Sequence, residues 1–311
     1  MWGAPKKMNS PLRVHLKEKS KFLQVIRQHF LKSGAIEVQT PHLSNATGTD
    51  LHIVPWTLQD QFAKQWFLHT SPEFAMKRYL VSGSGDIYQI CQVFRDEQPS
   101  HWHRSEFSML EWYRVAWSWH ELLHEVHELL QKLGADSHLQ CYSVQHACEI
   151  WANWHPWQDQ AIDQAKQKWP DGPGGDDLAT WIDYVLVTCV EPALRLRPLV
   201  CLYDYPTTHA ALSRIEANAQ GLQVARRFEF YWHGVEVANG FQELTDAEEQ
   251  QRRFEEELQA RAAQNMPCWP IDEGFLSALC QGLPDCSGVA MGLDRIWALS
   301  QGHSSLAPTL A

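Results

Sequence analysis

One stretch constrains the fold more than any other. From Phe228 to Glu243 the chain reads Phe-Glu-Phe-Tyr-Trp-His-Gly-Val-Glu-Val-Ala-Asn-Gly-Phe-Gln-Glu, with carboxylates at every seventh position, Glu229, Glu236 and Glu243. Its aromatic and β-branched residues favour strand. Side chains on a strand alternate between faces, so a step of seven reverses the face. The carboxylates converge only where the alternation is reset, and Gly234 and Gly240 each mark a candidate turn or bulge. Converging carboxylates suit Mg²⁺ held jointly with substrate phosphates, or an ammonium group. Without convergence they make only an acidic sheet face.

The rest of the chain supplies a sheet and its cover. Phe22, Leu23, Ile26 and Phe30 predict a helix over 17–32, stopped at Gly34. Residues 35–41 alternate like a strand and end on Pro41, which suits an edge. Strands are predicted over 64–71, 87–95 and 106–113, with a helix over 72–81 and a polar loop over 96–105. A helix over 118–133 follows, then strands over 199–203 and 227–237. The segment Thr245–Glu248 has the form of a capping box before a helix to about 263. Residues 287–295 turn from strand into a last helix. The Trp-rich region, about 155–198 with a flexible loop at 170–177, reads as an insertion within a single domain of 1–311.

Composition narrows the class. With 44 % hydrophobic and 20 % charged residues among 311, the chain can bury a core, and whole-chain disorder is excluded. No apolar run approaches the roughly 18 residues that cross a bilayer. Residues 1–7 lack the apolar run of a secretion signal, so a cytoplasmic protein is expected. A net charge of −11 argues against extensive tRNA or DNA binding, because that binding rests on neutralising phosphates. A local basic groove can survive it. The eight cysteines include no Cys-x-x-Cys pair and read as buried thiols.

Two further segments carry candidate chemistry. In Phe94-Arg95-Asp96-Glu97, followed by His103-Arg104-Ser105-Glu106-Phe107, an arginine at a strand end can clamp a phosphate with bidentate hydrogen bonds. Glu97 can accept from an exocyclic amine such as that of adenine, and Phe107 can stack on a base. A surface ion pair is the alternative. In Gly288-x-x-x-Gly292-x-x-Arg295, glycines let the backbone approach a ligand, and a helix N-terminus attracts anions. Arg295 in the first turn can then hold a phosphate.

Together, the Arg-x-Glu strand–loop–strand, the Asn239-Gly240-Phe241-Gln242-Glu243-Leu244 strand and the terminal Gly-x-x-x-Gly-x-x-Arg resemble the three motifs of class II aminoacyl-tRNA synthetases. The stretches Thr70–Arg78 and Met109–Arg114 narrow the resemblance to the lysine type. Glu236–Ala247 and Pro284–Arg295 narrow it further, to the family of elongation factor P–(R)-β-lysine ligases, truncated paralogues of lysyl-tRNA synthetase. It spans about residues 12–300.

The resemblance implies an α+β fold, an antiparallel sheet flanked by helices, and a homodimer formed through residues 17–41. It implies an enzyme that activates (R)-β-lysine, or lysine, with ATP and Mg²⁺ as an acyl-adenylate and passes it to a lysine side chain of elongation factor P. Arg95 would contact the α-phosphate, and Arg295 and His103 the outer phosphates. Glu97 would read the adenine amine and Phe107 stack on the ring. Asp96, Val237 and Gly292 would complete the ATP site, and Glu229 and Glu236 would bind Mg²⁺. Glu73, Tyr113, Asn239, Phe241 and Glu243 would line the amino-acid pocket, with Ser71 and Pro72 at its entrance. Ala290 stands where the synthetases have glycine, and its methyl would suit a β-amino acid. The family's His-Asn-Pro-Glu-Phe is here His103-Arg104-Ser105-Glu106-Phe107, which touches one ATP contact. The first helix begins near residue 12, leaving no room for an anticodon-binding barrel of OB type, so tRNA is not an expected partner.

Three other readings compete. One is an enzyme that activates α-lysine for another acceptor such as tRNA. Another is a synthetase-like body that only binds nucleotide or regulates. The third is a zinc protease, from His120-Glu121-Leu122-Leu123-His124. There the histidines lie opposite the apolar stripe of Leu122, Val126, Leu129 and Leu130, as on a solvated helix face.

Overall fold

The computed structural model describes residues 11–307. The opening residues 1–7, read above for a secretion signal, lie outside the described residues. The chain runs through α1 (Pro11–Ser33), β1 (Ile36–Glu37), β2 (Leu43–Ser44), β3 (Thr57–Gln59), β4 (Gln65–Leu68) and α2 (Glu73–Val81). Next come β5 (Ile87–Phe94), β6 (Glu106–Val115), α3 (Trp119–Lys132), β7 (Gln140–Ser143), α4 (Val144–Ala152), α5 (Ala161–Lys168), α6 (Leu178–Val185) and α7 (Glu191–Leu194). The last elements are β8 (Leu199–Tyr205), β9 (Ile215–Ala217), β10 (Gln223–Trp232), β11 (Val235–Gln242), α8 (Ala247–Ala263), α9 (Glu273–Gly282), β12 (Cys286–Gly292) and α10 (Leu293–Ser300).

A sheet in the order β1-β5-β6-β12-β11-β10-β8-β7, with β9 beside β10, forms the body, and β2-β4-β3 make a small second sheet. The large sheet is antiparallel except at its margins, β1–β5 and β7–β8. Alternation sorts its faces. Leu110, Trp112, Phe228, Phe230, Val289 and Met291 point to one face, into a core shared with α1, α3 and α10. The opposite face is divided. Helices α4–α6 pack against Val200, Leu202 and Tyr205, α2, α8 and α9 pack against Ile87, Tyr113 and Cys286, and a cavity opens between them. The 155–198 region, expected to be largely irregular up to 182, is thus two-thirds of a helical pack. Ala161, Ala165, Trp181, Ile182 and Val185 bury against each other with no long periodic run to announce it.

The β10–β11 hairpin resolves the seven-residue spacing. The predicted strand 227–237 is two strands, joined at His233 (φ +48°) and Gly234 (φ +74°), a two-residue turn with both residues left-handed. A Cβ at Gly234 would stand 2.4 Å from Arg195. Ala238 then pairs with Phe230 while Glu236 pairs with Tyr231, so Val237 is the extra residue of a bulge. That bulge puts Glu236, Asn239, Phe241 and Glu243 on one face. Gly240 is no bulge; the Phe228 ring lies 2.3 Å from where its Cβ would be.

Smaller corrections have physical causes. Helix α1 starts before 17, because Leu12, Val14 and Leu16 are exposed and leave no buried stripe to mark it. The 35–41 strand contracts to two exposed residues. Asp246 caps α8, accepting from the Glu248 and Glu249 amides at 2.9 and 3.1 Å, and Thr245 does not. Cys91, Cys148, Cys201 and Cys286 are buried as expected, whereas Cys141, Cys268 and Cys280 are exposed.

Candidate active site

Register assembles the site. Across β6, β12 and β11, Met109 pairs with Gly292, Glu111 with Ala290, and Tyr113 with Gly288. Ala290 in turn pairs with Asn239, and Gly288 with Phe241. These residues, with Phe107 at the start of β6, line a cavity of about 440 Å³. Six residues of strand separate Phe107 from Tyr113, roughly 20 Å, so the site has two ends.

The first end is cationic. Arg95 follows β5, its amide bonded to the Ser105 carbonyl at 2.9 Å, which closes the 96–105 loop. Its Nε donates to the Thr70 carbonyl at 3.4 Å, and its guanidinium lies 5.3 Å from the Phe107 ring centroid. Arg295, in the first turn of α10, donates to the carbonyls of Trp102 and Glu236 at 3.0 and 2.9 Å. Its distance to the Glu236 carboxylate is 4.0 Å. Burial lowers the Arg95 guanidinium and the His103 imidazole from their ordinary values, and Arg295 adds to both effects, leaving His103 neutral at pH 7. Burial and then Glu229 push the Glu236 carboxyl up to about 7, against the pull of Arg295, Arg227 and Arg95. The Glu236 side chain is also 44 % open to the cleft, and water there moderates that push.

The second end is acidic. Ser71 begins it, accepting from the Glu73 amide at 3.0 Å and donating to Glu111 at 2.9 Å. Tyr113 donates to the other Glu111 oxygen at 2.6 Å. Burial, with Glu73 next, pushes Glu111 up to about 8. Lys77, one turn along α2 from Glu73, reaches Glu73 at 2.6 Å and Glu243 at 2.7 Å. Burial pushes Glu243 up to about 7 while Lys77 pulls it down. The Asn239 Oδ1 atom is buried with no hydrogen-bond partner, so one acceptor here awaits a donor. Gly288 is required at this end. A Cβ there would stand 2.3 Å from the Tyr113 ring and 2.4 Å from Glu243.

Of the residues singled out from sequence, Ser71, Pro72, Glu73, Arg95, Glu97 and His103 line the cavity, as do Phe107, Tyr113, Glu236, Val237 and Asn239. So do Phe241, Glu243, Ala290, Gly292 and Arg295. Asp96 and Glu229 do not. Asp96 is exposed. Glu229 is buried, accepts from Tyr205 at 2.6 Å and Tyr231 at 2.5 Å, and is paired with Arg227. Both tyrosines donate to Oε2 and Arg227 pairs with Oε1, so Glu229 lies behind the cavity wall, not in its lining. Arg104 folds onto its own loop, donating to the Ser100 and His103 carbonyls at 2.6 and 2.8 Å. Sequence reasoning assigned no role to Glu111, Lys77 or Arg227. Period-two spacing from Phe107 and Tyr113 was a signal for Glu111, and the i,i+4 step from Glu73 was one for Lys77.

The His120–His124 helix lies across the sheet from this cavity, packed through Leu122, Leu123 and Val126 into the opposite core. Glu121, the base of a zinc-protease reading, is instead the capping-box partner of Ser118, accepting at 2.8 Å from both its amide and its hydroxyl. Among the described residues no three His, Cys, Asp or Glu side chains cluster as metal ligands.

An antiparallel sheet flanked by helices, carrying a cleft with arginines at one end and carboxylates at the other, is the architecture that the three motifs led us to expect. A family model described as class II tRNA synthetases (D, K and N) matches residues 6–311. The chain belongs to that family. It is similar to the elongation factor P–(R)-β-lysine ligase of Avibacterium paragallinarum, 38 % identical over 304 residues, covering 95 % of this chain and 94 % of that protein. The protein of the same name from Haemophilus influenzae is 38 % identical over 300 residues, covering 94 % and 92 %. That from Salmonella paratyphi B is 38 % identical over 307 residues, covering 96 % and 94 %.

Proposed function

We propose that this chain is an ATP-dependent, AMP-forming ligase that activates (R)-β-lysine as an acyl-adenylate and transfers it to a lysine side chain of elongation factor P. The observation that carries the reading is the polarity of one cavity, with Arg95 and Arg295 at one end and Glu73, Glu111 and Glu243 at the other. The names of the relatives supply the amino acid and the acceptor.

In the first step the amino-acid carboxylate attacks the α-phosphorus of ATP, and pyrophosphate leaves. Two anions must meet, so catalysis is mostly positioning and charge neutralisation. Arg95 meets the charge that builds on the α-phosphate, and Arg295 with neutral His103 holds the outgoing phosphates. Phe107 offers a face to the base and Glu97 an acceptor to its amine. At the far end, Glu73, Glu243 and the unpaired oxygen of Asn239 receive ammonium groups. In the second step an unprotonated amine attacks the acyl carbon, an amide forms, AMP leaves and the amine's surplus proton is released.

The site fits Mg²⁺ through Glu236, which opens to the cleft among the arginines. An ion that keeps waters and binds one carboxylate plus substrate phosphates needs no larger cluster. When bound, it neutralises phosphate charge. The Ala290 methyl, between the register partners Glu111 and Asn239, favours a β-amino acid over α-lysine, a discrimination of about 1–3 kcal/mol. By family resemblance we propose a cytoplasmic homodimer. Exposed Val14, Leu16, Leu31 and Ile36 on α1 and β1 support that pairing.

Pyrophosphate exchange with ATP and Mg²⁺ tests the reading, comparing (R)-β-lysine, (S)-β-lysine and α-lysine, with Arg295→Ala as control. We expect exchange strongest with (R)-β-lysine and lost in the control. Exchange strongest with α-lysine would leave the chemistry, overturn the amino acid and reopen the acceptor; no exchange with any would sink the enzyme.

A further inference from the structure

Behind the acidic end lies a cation that is not part of the cavity wall. Lys77 is 1 % exposed, and its Nζ contacts Glu73 and Glu243 at 2.6 and 2.7 Å. It lies 5.9 Å from the Phe275 ring centroid of α9. It is absent from the cavity lining, whereas both of its carboxylate partners are present. A buried ammonium is costly unless paired, and an ordinary packing position on an apolar helix face would be filled by Leu or Met.

We infer that Lys77 is a positioning and specificity-determining residue. Its ammonium orients Glu73 and Glu243 and offsets part of their mutual repulsion, so that both can face, from one pocket, an amino acid bearing ammonium groups. This deepens the function proposed above and rests on it. One oxygen of each paired acid lies against the Lys77 ammonium, which restrains both carboxylates.

The surrounding groups do not supply this cation otherwise. Glu73 raises the Glu243 carboxyl and Arg214 is the other cation that lowers it, while Glu243 in turn raises Glu111. Arg214 is paired with Asp285 at 2.7 Å. Arg78, next to Lys77 on α2, is paired with Asp272 at 2.9 Å. Tyr113 donates to Glu111, and burial keeps the Cys286 thiol neutral. Lys77 lowers the Glu243 carboxyl, so without it Glu243 would keep its proton to higher pH.

The test is exchange kinetics of the full chain across pH 6–9 for wild type, Lys77→Met and Lys77→Arg. For Lys77→Met we expect the (R)-β-lysine KM to rise by about 10–100-fold, the size expected for losing a hydrogen bond to a charged group. The ATP KM should stay unchanged. The midpoint at which amino-acid KM falls with pH should move upward, and Lys77→Arg should restore most of both. A wild-type amino-acid KM and midpoint in Lys77→Met, or both substrates' KM rising together with no shift in midpoint, would overturn the inference. If Lys77→Met does not fold, Lys77→Met/Glu243→Gln is compared with Glu243→Gln. A further rise below about tenfold supports action through Glu243, and a full additive rise refutes it. Wild-type protein inert toward every lysine would instead be a failure of the proposed function.

Discussion

At one end of the cavity, Arg95 and Arg295 spend their hydrogen bonds on the main-chain carbonyls of Thr70, Trp102 and Glu236. At the other, Glu73, Glu111 and Glu243 are already answered by Lys77, Ser71 and Tyr113. The cationic end is held in position but not neutralised, so a polyanion entering there finds its counter-charge waiting. The acidic end is partly offset by Lys77 and by the hydrogen bonds of Ser71 and Tyr113 before any ligand arrives, which lets several carboxylates share a buried space. Attraction dominates the design of the first end, and control of ionisation that of the second.

Breaking the first end should have the largest effect. Replacing Arg95 with alanine removes the donor nearest the proposed reacting phosphorus, and we expect exchange to fall by about 10²–10³-fold. The contrast sharpens if amino-acid binding by calorimetry is left intact, because Arg95 makes no contact with the acidic group.

The second end should break by shape. Gly288→Ala drives a Cβ to within 2.4 Å of Glu243 and 2.3 Å of the Tyr113 ring. Overpacking of this kind costs about 1–3 kcal/mol. We expect that cost in the amino-acid KM, with the ATP KM unchanged, measured by exchange at saturating partner substrate.

The two ends also part in their pH dependence. Glu111 is pushed up to about 8 and Glu243 to about 7. Each is neutral below its value and charged above it, so affinity for an ammonium substrate should grow, and its KM fall, from pH 6 to 8.5. Stability runs the other way. A carboxyl whose folded value is raised binds its proton more tightly in the folded chain, so stability falls as pH rises from about 4.5 to about 8. The melting temperature of the free protein should drop over that window, and (R)-β-lysine should recover more of it than ATP does.

How far the sequence reached differs between these regions for the same physical reason. Local alternation made most of the strands legible, whereas the pocket places of Tyr113, Asn239, Phe241 and Glu243 came from the family resemblance. Gly234 was legible as a candidate turn, but its choice over a bulge was not, because His233-Gly234 lacks the Asn-Gly or Asp-Gly signal. The bulge sits at Val237 and not at Gly240 because pairing register decides it, and register is a property of two strands. Lys77 resembles any exposed i,i+4 partner of Glu73 until β11 and α9 close over it. Glu229 had the right spacing for a ligand, but Tyr205, twenty-four residues earlier, takes its oxygen. Long-range contacts set the charge states, and no window of the chain contains them.

The smallest expected effect tests whether the cationic end depends on its one departure from the family pattern. Arg104 stands where the family has asparagine, yet both of its hydrogen bonds go to carbonyls of its own loop, at Ser100 and His103. It therefore braces the loop that carries His103 more than it adds charge to the site. Asparagine is too short to reach the Ser100 carbonyl in this way, but Ser105 still ties the loop to Glu97 and to the Arg95 amide. We expect Arg104→Asn to fold with a stability change within about 0.5 kcal/mol, as for most surface substitutions. The ATP KM should move by a comparably small factor, read from exchange at saturating (R)-β-lysine. A loss approaching that of Arg95→Ala would mean that Arg104 leaves its loop to meet the nucleotide, and that the cationic end is built from three arginines.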